Sequence, residues 1–394
     1  MEELYHLLHY LDPVEYSDCA TFLKNFENIS EKDRVFTLHK LLGARMLRRT
    51  KQDVFKDMVG KTEQIVSVSL MPQQLALYKA ILMKNYKQLN VMHGAANSSG
   101  RNVLMDLRKI CNHPYLFAKQ DLEAKMMDDG VHYHVPTAMK ASGKLSIAVR
   151  MLKHLKFDGN RVLVFTQFLK VLDIMEDVCV YFKWDYRRLD GSTDLRDRQQ
   201  YIDDYNHPKS KVFIFLISTK AGGLGINLAT SDTVIFYDND FNPHNDIQAL
   251  ARSHRIGQKK HVLIFRLVSK DSVEERLLDR QKTKMMLAHV VIEGGKRAQS
   301  GLDLKSNELE DILKFGAQKI FKSDAPTGDG RIDYSDEDIK NLLDREKAEK
   351  RYNENKAERE KNMTESDNIL NNYMGEFKVA TFKVRPKTAE ELKY

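Results

Sequence analysis

Two textures divide the chain. Through residues 1–60, apolar positions recur at helical spacing, in LYHLLHYL and again in VFTLHKLLGARML. Around Ile65–Leu70 (IVSVSL) the alternation predicts a strand, and helical periodicity returns over Gln73–Tyr86. His93–Gly100 (HGAANSSG) is small and polar and reads as an exposed loop. A helix then runs into Cys111–Phe117, where Pro114 ends it, and residues 118–141 lack a consistent period and read as a connector. From Ser142 the texture changes. Short continuous apolar runs, Arg161–Phe165, Val212–Ile217, Thr233–Tyr237 and Val262–Val268, alternate with helical patterns at Val171–Phe182, Leu195–Tyr205 and Asn245–His254. Continuous apolar strands separated by helices indicate a parallel sheet covered on both faces, so an α/β, doubly wound domain is predicted over 142–270.

A further helix, Ser272–Val291, leaves that domain, and Gly294, Gly295 and Gly301 mark joints. Asn307–Phe321 is amphipathic, Ala325–Gly330 is a loop and Asp336–Asp344 is a short helix. Arg345–Lys361 is nearly all charged, either a solvated helix or disordered, with Ala, Glu, Lys and Arg favouring the helix. Phe377–Val384 alternates, as a strand or a docking segment does. The expected organisation is 1–117, 118–141 as connector, 142–292 and 293–394.

Composition narrows the class. The mean hydropathy of −0.51 and 30% charged residues argue against a membrane protein. The opening helix is broken by His and Tyr and is no signal peptide. A net charge of +7 permits a polyanionic partner without requiring one. Cys19, Cys111 and Cys179 lie far apart with no metal spacing, so buried reduced thiols are expected and no metal site.

The candidate chemistry sits at strand ends. The run Val212–Ile217 leads into STKAGGLGINL, whose Gly222, Gly223 and Gly225 let backbone N–H groups approach an anion. Glycines alone do not separate a phosphate cradle from a plain turn. In QALARSHRIGQ, Arg252 and Arg255 are three apart and would share one helix face, suiting a phosphate-rich partner; a solvated surface pair is the ordinary alternative. Thr166 and Gln167 follow one strand, Gly191, Ser192 and Thr193 follow another segment, and Ser218, Thr219 and Lys220 follow a third. Together they would form a groove for a nucleic-acid backbone, although each alone is ordinary turn chemistry.

In order, these segments resemble the later helicase motifs of the Swi/Snf-like branch of superfamily two. RVLVFTQF resembles motif IV, RLDGST the block after it, STKAGGLGINL motif V and QALARSHRIGQ motif VI. DNDFNPHND, SGK at Ser142–Lys144, LRRTKQDV and LRKICNHPYLF also match family blocks. Asn307–Lys322, Arg331–Arg345 and Tyr373–Arg385 are similar to the region after the motor in NuRD-type (Mi-2-like) chromodomain-helicase-DNA-binding remodellers. The resemblance covers nearly the whole chain and is weakest over 346–368. Phe241 stands where the family pattern has tryptophan, keeping a ring but losing the indole N–H. Trp184 lies elsewhere, as core or rim.

The resemblance implies two RecA-like lobes closing on one ATP with Mg2+, the metal and most phosphate contacts coming from the first lobe. Residues 142–292 would be the second lobe, 1–117 the tail of the first with a helical protrusion, and 293–394 a post-motor extension. Arg252 and Arg255 would be arginine fingers, with Gly223, Gly225 and Gln248 also at the nucleotide. Thr166, Gln167, Gly191, Ser192, Thr193, Ser218, Thr219 and Lys220 would track the DNA strand. The implied partners are double-stranded DNA, nucleosomes and histones, and the subunits of a NuRD-type deacetylase complex, in the nucleus.

One feature of the family is missing. No G-x-x-x-x-G-K-[ST] occurs in the sequence, and no acidic box follows an apolar strand. The residues in hand are therefore expected to start after the first lobe's own motifs, Met1–Leu11 being the helix that follows them, and to be inactive alone. A non-catalytic DNA- or nucleosome-binding module is the alternative from another class. A strand-separating helicase or repair translocase is a third, disfavoured by HRIGQ, SGK and CNHPYLF.

Overall fold

A computed structural model describes residues 2–25, 58–91, 97–117, 134–222, 225–292, 334–361 and 377–379. The chain divides into two compact units, residues 1–58 with 280–301 and residues 59–279 with 302–394. Of the first, α1 (Glu2–Leu11) and α2 (Cys19–Asn25) are held by a small aromatic cluster in which Tyr5 and Tyr16 both meet the Phe22 ring.

The second unit is built on one parallel sheet. Its strands are β1 (Lys61–Val68), β2 (Val162–Thr166), β3 (Tyr186–Leu189), β4 (Ile214–Ser218), β5 (Thr233–Phe236), β6 (Val262–Ser269) and β7 (Phe377–Val379). Their order across the sheet is β3-β4-β2-β5-β6-β1-β7, and all pairings are parallel. The unit's helices are α3 (Pro72–Val91), α4 (Asn97–Asn112), α5 (Val135–Ala141), α6 (Gly143–Phe157), α7 (Leu169–Tyr181), α8 (Leu195–Asn206), the short α9 (Thr219–Gly222), α10 (Pro243–Leu250), α12 (Asp336–Leu343) and α13 (Arg345–Lys361), while α11 (Val273–Ile292) starts in this unit and from Arg280 belongs to the first.

The apolar runs explain the two-sided burial. Along β2, Val162 and Val164 enter one core with α6 and α7, whereas Leu163 and Phe165 enter another with α8 and α10. The same split divides Ile214 and Leu216 from Phe215 and Ile217 along β4, the period of two that a sheet buried on both faces requires. The α/β doubly wound reading of the sequence therefore holds. Trp184 sits in the first core, stacked on Phe182 with ring centroids 4.9 Å apart.

Several expectations change. The strand foreseen near Ile65–Leu70 does not stand apart with the N-terminal segment. As β1 it pairs with β6 over eight residues, Lys61 against Val262 through Val68 against Ser269, inside the second unit's sheet. A third of residues 118–141 is described, and Val135–Ala141 there is a helix begun by Pro136, not connector. The loop foreseen over His93–Gly100 gives way to α4 at Asn97. Cys111 and Cys179 are buried thiols, with burial pushing Cys111 up to about 12, but Cys19 is only partly buried. Asn307–Phe321, Leu47–Val54 and the glycines at 294, 295 and 301 lie outside the described residues.

The charged segment Arg345–Lys361 is the helix α13. Before it, α12 opens with a capping box in which Ser335 and Asp338 bond each other's backbone, and it buries Ile339, Leu342 and Leu343 in the core that α6 and α7 share with the sheet. Tyr334 joins that core and donates its hydroxyl to the Ser67 carbonyl, 2.8 Å away.

Candidate functional site

Because the sheet is parallel, the carboxyl ends of β3, β4 and β2 lie side by side, and the loops after them bring three of the foreseen groups together. Gly191 and Ser192 are exposed, Thr193 and Gln167 half-buried, and Lys220 exposed. Asp190 organises the first loop: its carboxylate accepts the Ser192 N–H at 2.8 Å and hydroxyl at 2.6 Å, and its own N–H donates to the Thr193 hydroxyl at 3.1 Å. Thr193 thus keeps its hydroxyl proton for an outside acceptor.

Thr166 corrects the sequence reading. Its side chain is fully buried, and its hydroxyl donates to the buried carboxylate of Asp238, which also accepts the Gln167 N–H at 2.9 Å. Thr166 shapes the loop from beneath and presents nothing to a ligand. Ser218 is also buried, accepting the Ala221 N–H at 3.4 Å. Two neighbours differ. The Thr219 hydroxyl and the Gln167 amide nitrogen are buried and have no partner. They sit beyond β4 and β2, which are adjacent in the sheet.

Beneath this edge lies a buried polar network that joins α4 to the sheet. The Lys144 ammonium meets Asn112 at 2.9 Å, the Tyr237 carbonyl at 3.1 Å and Glu274 at 2.7 Å. Asn112 donates to Asp238 at 3.2 Å, and Ser142 donates to the Asn112 carbonyl at 2.7 Å while capping α6. Arg108, also buried, donates to the Asn239 carbonyl at 2.7 Å and to Gln167 at 3.3 Å. Its guanidinium lies 4.3 Å from the centroid of Phe241, so the ring retained at that position has a defined partner. Asn112, Lys144 and Asp238 are thus structural, which the sequence reading did not specify.

The arginine segment is built differently from the helix foreseen over Asn245–His254. The helix α10 ends at Leu250, and 251–257 follow as turns, with Gly257 at φ +99. The cause lies in side chains that bond across the turn and not along a helix. Ser253 is buried, donates to the Ser231 carbonyl at 3.1 Å and lies 2.8 Å from the Ser231 hydroxyl. The His254 ring bonds the Val59 carbonyl at 2.8 Å, and Gln258 donates to the Ser231 carbonyl at 2.6 Å. The Leu228 N–H, at the end of the glycine-rich segment, donates to the Arg252 carbonyl at 3.0 Å. Ser253, His254 and Gln258 are thus anchors between the two arginines and after them. Sequence spacing alone pointed only to the arginines.

Arg255 is exposed and Arg252 half-buried. Burial first, and the neighbouring Arg255 second, pull the Arg252 guanidinium below its ordinary pKa. The two guanidiniums are near enough for the charge of one to act on the other. Ser231 and Asp232 directly precede β5, so this loop lies at the amino ends of the strands, the opposite side of the sheet from Thr193 and Lys220. The arginine loop and the strand-end loops carrying Thr193 and Lys220 are therefore two separate polar zones, on opposite sides of the sheet. Gln248 is exposed on α10, Gly225 is exposed at φ +76, and Gly223 lies outside the described residues. Among the described residues, no group of three or more His, Cys, Asp and Glu is placed to hold a metal ion. No described helix is long and apolar enough to cross a membrane.

Comparison with known proteins gives this geometry its family. Residues 1–116 match the SNF2-related domain and residues 143–257 the helicase conserved C-terminal domain. The chain belongs to the SNF2-related, helicase-like ATPase family. Within that family it is 44% identical over 399 residues to the Chromodomain-helicase-DNA-binding protein 3 homolog of Caenorhabditis elegans, covering 98% of this chain and 22% of that protein. It is 40% identical over 385 residues to the CHD3-type chromatin-remodeling factor PICKLE of Arabidopsis thaliana, covering 97% of this chain and 26% of that one. The chain thus spans about a quarter of the length of these relatives. Its fold is similar to the crystal structure of the C-terminal part of the Fun30 ATPase domain, with TM-score 0.52 and 29% identity, covering 66% of this chain and 99% of that one.

Proposed function

We propose that these residues form the second lobe of an ATP-driven motor that translocates along DNA to remodel nucleosomes, in the nucleus and within a NuRD-type deacetylase complex. The observation that carries the reading is the anchored loop presenting Arg252 and Arg255 as an adjacent cationic pair. The relatives' names, chromodomain-helicase-DNA-binding and chromatin-remodeling, support the choice of DNA and nucleosome as partners.

Bound ATP with Mg2+ supplies the free energy through phosphoryl transfer. Arg252 and Arg255 fit its anionic phosphates, holding charge on the transferring group with planar, permanently ionised forks. The chain has no phosphate loop in its sequence and no metal-holding cluster among the described residues, so those parts come from a partner lobe. These residues alone therefore bind DNA without turning over ATP.

On the opposite edge, Thr193, the unpartnered donors of Thr219 and Gln167, and Lys220 grip a phosphate backbone. A buried donor without a partner costs about 1–3 kcal/mol, and a phosphate oxygen satisfies it. The Lys220 charge adds affinity without sequence preference.

The test is a pair of variants in a complete motor carrying these residues. Arg255→Ala is expected to cut DNA-stimulated ATP turnover by about 10³-fold with DNA affinity kept. Lys220→Ala is expected to do the reverse, weakening DNA binding with basal turnover kept. Equal loss of both properties in either variant would overturn the assignment of separate zones.

A further inference from the structure

The extension after the motor reaches the arginine loop from behind. Arg345, the first residue of α13, inserts its guanidinium among the amino ends of three strands. It donates to the Asp232 carbonyl at 3.0 Å and to the His261 carbonyl, which precede β5 and β6. It also donates to Thr233 at 3.2 Å and to Asn160, before β2, at 3.1 Å, and pairs with the Asp232 carboxylate at 3.2 Å. Only an arginine fork meets that many acceptors at once.

Both borders of the arginine loop run through these same residues. Ser231, which holds Ser253 and Gln258, is bonded in the chain to Asp232. Where the loop leaves, Lys260 pairs with Asp232 at 3.0 Å, and the next residue is His261, whose carbonyl Arg345 holds. The docking is tight: a Cβ on Gly60 would lie 2.5 Å from the Tyr352 ring of α13, and Tyr352 also packs edge-on against His261.

We infer that Arg345 is a positioning residue for the arginine loop, so that docking of the post-motor segment sets the pose of Arg252 and Arg255 and thereby the rate of ATP turnover. The inference rests on the reading of those arginines as acting on the nucleotide. Arg345 touches no reacting atom. It fixes the two ends of the segment that carries the groups that do, and rate is sensitive to small displacements of such groups.

Two measurements on Arg345→Ala test it. In the 394-residue chain, hydrogen exchange at 251–258 is expected to accelerate while exchange in α7 stays as in the parent. In a complete motor, kcat is expected to fall about tenfold with KM for ATP and DNA affinity within about twofold, and Arg345→Lys to recover part of the loss. Ile174→Val, a buried change in the core that α7 shares with α6 and the sheet, serves as the control, and is expected to lower thermal stability without changing kcat. Unchanged kcat in Arg345→Ala beside a collapsed kcat in Arg255→Ala overturns the inference and leaves the reading of the arginines standing. Unchanged kcat in Arg255→Ala overturns that reading itself. A drop in Arg345→Ala that Ile174→Val reproduces assigns the effect to stability and overturns the positioning role.

Discussion

The ammonium of Lys144 lies 2.7 Å from the carboxylate of Glu274, and both side chains are buried. The family block Ser142–Lys144 therefore does no ligand chemistry. Ser142 caps α6, Gly143 passes so close to the Ser69 carbonyl that a Cβ would lie 2.3 Å from it, and Lys144 closes the buried network. Removing one partner strands the other charge. Lys144→Ala is expected to lower the stability of the chain by about 3–5 kcal/mol, read from urea denaturation. Gly143→Ala is expected to destabilise it as well, since the contact it meets is backbone.

Thr166→Val is expected to act on stability and not on DNA contact. It deletes the hydroxyl that Asp238 accepts and that itself accepts the Phe168 N–H at 3.2 Å. A cost of about 1–3 kcal/mol follows from leaving these buried groups unpaired. Titrations of DNA binding at a temperature where the variant is folded should match the parent, and a loss of affinity there would restore Thr166 to the interface.

Lys220 offers a quantitative check on the carboxyl edge. If its ammonium contacts a phosphate, Lys220→Ala reduces the slope of log K against log salt by about 0.9 on duplex DNA, with no change in sequence preference. Binding isotherms over a salt series read this directly. An unchanged slope would move the backbone contact elsewhere.

Acidification should destabilise the second unit through two histidines. Burial holds His113 down to about 4, its ring bonded to the Ala138 carbonyl and the Tyr115 N–H. Burial, with the charge of Arg345, holds His261 down to about 4. In the unfolded chain both take up protons near about 6.5. The unfolded state thus binds more protons between these values, and stability present above about pH 6.5 is lost as pH falls toward 4. His113→Gln is expected to be less stable at pH 7 and to show a shallower pH slope. Comparing parent with variant isolates the histidine from Asp246, whose carboxyl burial pushes up to about 7, with Arg266 opposing, and whose effect has the opposite sign.

The sheet was legible because β2, β4, β5 and β6 are nearly continuous apolar runs, as burial on both faces requires, with the buried Arg266 of β6 as the charged exception. The extent of α10 was not legible. Arg252 and Arg255 keep helical spacing, yet Ser253 and Gln258 bond to Ser231, a residue before the preceding strand, and this tertiary competition ends the helix at Leu250. Thr166 at a strand end looks the same in sequence whether its hydroxyl faces outward or meets Asp238. The role of Arg345 was equally hidden, because its acceptors are mostly backbone carbonyls of segments far away in the chain. Phe241 was read correctly as a ring kept for packing.

The pairing of β1 with β6 governs how this protein can be made and cut. A fragment begun at Ser142, as the motif boundaries suggest, would leave the eight residues of β6 with one bare edge, a template for aggregation. A soluble fragment holding this sheet has to start ahead of Lys61 and so includes α3 and α4. During synthesis β1 emerges before β2 to β5 and must wait for β6, an arrangement of high contact order that slows folding. Lys61, Glu63 and Gln64 at the head of β1 keep the waiting strand polar, and Glu63 later becomes the partner of Arg266 once β6 arrives.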